Sequence, residues 1–172
     1  FYYPVLVPEG NLEQALAGLE GAPAPADAPS LNRRASLLLA VGSVEEAARD
    51  LEQAEKLAPG NAETLALQSV VAVARNENDK ALSLGRRAVS ADPKSATALV
   101  ALSYAQQAAF DLDAARAGLE KAVALDPANA LGWARLAEIR SSLGDRAGAL
   151  AAARKSADLA PGLSRSHTVL GF

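Results

Sequence analysis

Side-chain chemistry needs a nucleophile, an acid–base group or a metal ligand, and this chain of 172 residues offers few of them. It contains no cysteine and a single histidine, His167. Disulfides, thiolate metal sites and thiol nucleophiles are therefore excluded. His167 falls where the surrounding pattern calls for helix packing, so a structural role is the stronger reading than a nucleophile–histidine–acid array. Two acidic pairs, Glu45 with Glu46 and Asp111 with Asp113, could in principle divide the roles of acid and base. Each pair sits at a predicted helix start, where carboxylates cap backbone N–H groups and oppose the helix dipole. The turns GSVEEAA (42–48) and GDRAGA (144–149) lack the lysine and following hydroxyl of a nucleotide loop. Arg33-Arg34 and Arg86-Arg87 are isolated doublets without interleaved aromatics. Arg33 and Arg34 could line an anion site, although a solvated face is the stronger reading. The expectation is a chain that is not an enzyme and has no cofactor and no metal site.

Composition supports a different kind of work. Half of the residues are hydrophobic, and much of that share is alanine, the best helix former. Aromatic residues make up only 4%, and β-branched strand formers are scarce, so an all-helical protein is expected. With 17 basic and 20 acidic side chains interspersed, the net charge of −3 leaves no nucleic-acid footprint. No apolar run approaches the roughly 18 residues that span a bilayer, and no charged–apolar–small leader opens the chain, so no direct membrane insertion is expected. The absence of methionine and the start at Phe1 suggest a processed product or an excerpt. The compartment stays open between bacterial cytoplasm and envelope.

The organising feature is a rhythm. Pro59, Pro93, Pro127 and Pro161 follow one another at steps of 34 residues, a period that marks stacked supersecondary units rather than one globular core. Residues 28–163 divide into blocks 28–61, 62–95, 96–129 and 130–163. Asp27, Asn61, Ser95 and Asn129 are good N-caps for the first helix of each block. Breaks follow at Gly42, Asn76, Phe110 and Gly144. Glycine and asparagine accept the left-handed conformation that closes a helix, whereas phenylalanine does not, so the third turn is expected to be built differently. Second helices open at Ser43, Glu77 or Asn78, Asp111 and Asp145, with Ser43 and Glu46 spaced as a capping box. Small residues, among them Ala47, Ala81, Ala115 and Ala149, recur where helices should cross closely. Gly85 stands where a larger apolar residue is expected, which predicts a thinner contact.

Outside the blocks, Phe1–Pro8 (FYYPVLVP) reads as extended, within an N-terminal segment 1–10. It is either the tail of an upstream domain or an apolar arm that docks in a groove of this or a neighbouring molecule. A short helix is expected over 11–20 and a linker over 21–27 (GAPAPAD). Residues 164–172 restart the pattern as a fifth first helix or a cap.

These blocks resemble the tetratricopeptide repeat, whose signature is W-x2-L-G-x2-Y, A-x3-F, A and P within a 34-residue unit. The fourth block carries Trp133, Leu136, Ala137, Gly144, Ala149 and Pro161, and the others carry alanine or leucine in place of most aromatics. The resemblance implies an all-α, right-handed superhelix of antiparallel helix–turn–helix units, an α-solenoid. It further implies that the first helix of each pair lines a concave surface. The lining would then be Asn32, Ser36 and Leu39; Ala66, Val70 and Val73; Val100, Tyr104 and Gln107; and Ala134, Glu138 and Ser141. Some proteins of the family grip a terminal carboxylate with paired lysines and asparagines, but Asn32 alone here is of that kind. An apolar strip around Val70, Val73, Val100 and Tyr104 suits an extended or helical segment of a protein partner, or else simply closes a tightly wound interior. The expected function is a non-catalytic adaptor binding a peptide or helix. The alternative is a structural repeat domain of a larger bacterial protein that self-associates through its ends.

Overall fold

The computed structural model describes residues 25–161. Among them all regular structure is helical: α1 (Ala28–Ala40), α2 (Val44–Leu57), α3 (Ala62–Ala74), α4 (Asn78–Ala91), α5 (Ala96–Ala108), α6 (Leu112–Leu125), α7 (Ala130–Ser142) and α8 (Arg146–Leu159). Odd-numbered and even-numbered helices each restart at 34-residue steps. The segment 1–10, the helix expected over 11–20, most of the 21–27 linker and the restart at 164–172 lie outside the described residues.

Helix starts follow the capping chemistry of the sequence. The side chains of Asp27, Asn61, Ser95 and Asn129 accept from the backbone N–H of Ser30, Thr64, Ala98 and Gly132 at 2.8–3.1 Å. Each bond satisfies one of the amides that a helix start leaves without a partner. The same bond from Ser30 holds the Asp27 carboxyl below the ordinary carboxylate range. Asp111 and Asp145 cap α6 and α8 through Ala114 and Gly148. Ser43 makes no such bond, so the expected capping box is absent.

All four turns inside the pairs close in one way. The amides of Gly42 and Ser43 donate to the carbonyls of Leu39 and Leu38, and the pattern repeats for Asn76 and Glu77, Phe110 and Asp111, and Gly144 and Asp145. The first residue of each set has positive φ, including Phe110 at 61°. The third turn is therefore built like the others, contrary to the expectation from its phenylalanine. The shared hydrogen bonds hold Phe110 in a conformation that costs an L-residue about 1–2 kcal/mol, and its ring stands 92% exposed.

Packing runs along the array as one core cluster from Ala35 to Ala153. Alanines at the helix crossings, such as Ala47, Ala81, Ala88 and Ala115, are fully buried and let backbones approach. Gly85 also departs from expectation. A Cβ there would meet Leu102 Cδ1 at 2.8 Å and Ser69 Oγ at 3.1 Å. Neighbouring side chains fill the space, so the contact is tight instead of thin. Two ion pairs add polar stitching: Arg34 with the buried Asp50, and Arg75 of α3's C-cap with Glu45 of α2. Hydrogen bonding to Asp50 raises the Arg34 pKa, and hydrogen bonding to Arg75 lowers that of Glu45.

Candidate binding surface

Odd-numbered helices pack directly on one another, α1 on α3, α3 on α5 and α5 on α7, whereas the even-numbered helices make no comparable contacts among themselves. Helices on the inside of a curved stack are the closer set, so the odd-numbered ones form the concave side.

The structure divides the twelve residues expected to line that side. Ala66, Val70, Val100 and Ala134 are at most 1% exposed. Leu39 and Tyr104 are also buried. Ser36, Val73, Gln107 and Glu138 are half-buried, and Ser141 is exposed. Asn32 is buried within a network between the first two pairs. Its Oδ1 accepts from Thr64 Oγ1 at 3.0 Å, and its Nδ2 donates to Glu63 at 3.4 Å and Asn61 at 3.5 Å. With its amide engaged in this way, Asn32 ties α1 to α3.

Sequence reasoning missed Arg135. Its side chain is 3% exposed, and its guanidinium donates to Ser103 Oγ, the Ser103 carbonyl, Gln107 Oε1 and Glu138 Oε2. The guanidinium carbon lies 4.0 Å from the centroid of the Tyr104 ring. A buried cation persists when its donors are satisfied and an anion is near, and both conditions hold here. The cluster fixes the Tyr104 ring against α7 and uses the acid of Glu138. A signal was available, because the preceding two blocks carry Leu67 and Ala101 at the position of Arg135. The first block also carries a charge in that column, Arg33, but it is exposed, whereas Arg135 is enclosed and is satisfied by α5.

Elsewhere, a pocket of ≈ 130 Å³ opens between α2, α3 and α4, floored by Leu51, Val71 and Leu84 and rimmed by Glu52, Arg75 and Lys80. Among the described residues no group of three or more His, Cys, Asp or Glu side chains could hold a metal ion. His167 lies outside them. No described helix is long and apolar enough to cross a membrane.

Fold comparisons agree with this geometry. A thermophilic TPR protein from Thermus thermophilus, TTC0263, superposes with a TM-score of 0.72 at 22% identity, over 94% of this chain and 88% of that one. Pseudomonas aeruginosa PilF gives 0.68 at 21% identity, over 83% and 67%. The MamA protein gives 0.60 at 24% identity, over 84% and 79%. No protein-family model and no curated protein sequence matches the chain. The class is thereby defined: this chain has the tetratricopeptide-repeat fold, an α-solenoid of stacked antiparallel helix pairs.

Proposed function

We propose that the chain is a non-catalytic protein-interaction module whose concave side takes an extended or helical segment of a protein partner. The observation that carries this reading is the graded inner side. Its centre is apolar, through Val70, Val100 and the Tyr104 ring, and its edges are polar, through Ser36, Gln107, Glu138 and Ser141. A peptide laid across such a side sets apolar anchors in the middle and leaves its ends hydrated. Self-association through the ends of the array finds no comparable support. The TPR proteins that share the fold are consistent with a scaffold role, and the side chains present suggest no reaction.

Ser36 and Ser141 are the residues to test, because one is half-buried, the other is exposed, and neither belongs to the hydrophobic core. Ser36→Arg with Ser141→Arg should weaken capture of a native protein partner at least about tenfold, a loss of about 1.4 kcal/mol. Helix content and melting should stay near wild type. Undiminished capture would remove the concave side as the binding surface.

A further inference from the structure

The convex side, formed by the even-numbered outer helices, carries a row of cations that the fold does not use. Arg87 of α4, Lys121 of α6 and Lys155 of α8 stand at 34-residue steps and so take the same place on successive outer helices. Arg86 and Arg154 lie beside the row at its two ends, and all five side chains are exposed. Six other described basic side chains, among them Arg116 and Arg140, reach a carboxylate at 2.5–3.1 Å. Among the described residues none of the five in the row does so.

Local helix chemistry does not account for these positions. Cations offset the helix dipole in the last turn, and α4, α6 and α8 have no basic residue there. Intrahelical ion pairs need an acid three or four residues away, and Arg86, Arg87 and Lys121 have none. Asp158 has that spacing from Arg154 and Lys155 yet pairs with neither. Glu120, beside Lys121, accepts instead from Arg140 at 3.0 Å. The exposed residues along the row are small: Ser83, Ala117 and Ala151 one turn before it, and Ser90 and Ala124 one turn after. Such flanks leave room for a partner's main chain to lie along the cations.

We propose that this row is a second docking surface, which takes an extended acidic segment of another protein across α4, α6 and α8. It is separate from the concave side and goes beyond the reading above. Carboxylates are the complement of exposed guanidinium and ammonium groups. The chain as a whole carries −3, so an acidic segment is drawn to this row and repelled elsewhere. Spacing fits as well. Outer helices of a curved stack stand farther apart than inner ones, which places successive cations at least about 10 Å apart. An extended chain rises about 13 Å over four residues and points alternate side chains the same way, so acids at every fourth position match the row. No aromatic residue stands on α4, α6 or α8, which disfavours base stacking by a single-stranded nucleic acid and insertion into a bilayer interface.

The test titrates the full chain with a labelled probe peptide, a serine–threonine chain bearing glutamate at every fourth position. Arg87→Gln, Lys121→Gln and Lys155→Gln together should weaken binding at least about tenfold. Helix content should not change, since all three side chains are exposed. The control removes the same charge at three exposed cations away from the row, through Arg33→Gln, Arg49→Gln and Arg146→Gln. At physiological salt, where charges are screened over about 8 Å, it should change binding by less than about twofold. Equal weakening by both triplets shows an effect of net charge alone and overturns the proposal, as does failure of the probe to bind wild type. So does tighter row-dependent binding of phosphatidylserine vesicles or of oligouridylate than of the probe, because the surface then serves a bilayer or a nucleic acid. Ser36→Arg with Ser141→Arg should leave probe binding unchanged. A clear change there would place the probe on the concave side and remove the convex row alone.

Discussion

The contact between α4 and α5 and the contact between α5 and α7 each join one helix pair to the next, and they do so by opposite means. At the first, the missing Cβ of Gly85 lets the Leu102 side chain sit against the α4 backbone, next to Ser69. At the second, Arg135 reaches back from α7 to Ser103, Gln107 and the Tyr104 ring, with Glu138 as its counter-ion. One seam depends on close, dry packing and the other on a satisfied buried cation. The repeat thus constrains helix spacing strictly and the chemistry of each seam loosely, and the polar seam is the one that orients an aromatic ring on the concave side.

Substitutions can break each seam separately. Gly85→Leu forces a side chain into occupied space and should cost about 3 kcal/mol, read as a fall in melting temperature; a neutral result would show that α4 and α5 can separate freely. Arg135→Ala leaves the Ser103 and Gln107 acceptors without their donor and should cost about 2 kcal/mol, with a changed Tyr104 fluorescence or ring resonance. If stability falls and the ring signal does not move, the cluster holds the seam but does not orient the ring.

Phe110→Asn should stabilise the protein by about 1 kcal/mol, because asparagine accepts positive φ and the exposed ring makes no return within the described fold. Urea unfolding measures it, and a loss of stability would reveal a contact for the ring. The smallest effect concerns pH. The folded pKa of Glu45 lies below its ordinary value because of hydrogen bonding to Arg75, so its contribution is present above that ordinary value and is lost as pH falls through the lowered one. Glu45→Gln should flatten the acid side of the melting profile slightly, and less so in salt, because the pair is exposed. An identical acid limb in both proteins would show that the pair adds nothing.

Proline spacing and cap residues made the helix pairs legible before any coordinates, because both act through local backbone geometry. Two misreadings came from assigning a local cost to a residue whose neighbours decide the outcome. Phe110 takes positive φ because hydrogen bonds from both sides of the turn impose it, and Gly85 is filled by Leu102 from the following pair. Lining positions were placed by their column in the repeat, but the column does not say what covers them. The burial of Val70 and Val100 depends on the whole stack. Arg135 was hidden for a related reason, since its partners lie about 30 residues earlier, on the facing helix.

The central claim is that the concave side is where this solenoid holds an apolar segment. A backbone-amide NMR map of the full chain, recorded with and without a native protein partner, tests it directly. Shifts confined to the inner helices, centred on Leu67, Val70, Ala101 and Tyr104, are the predicted result. Shifts centred on Leu51, Val71 and Leu84 in the pocket between α2, α3 and α4, or on Phe110 at the α5–α6 turn, would contradict it.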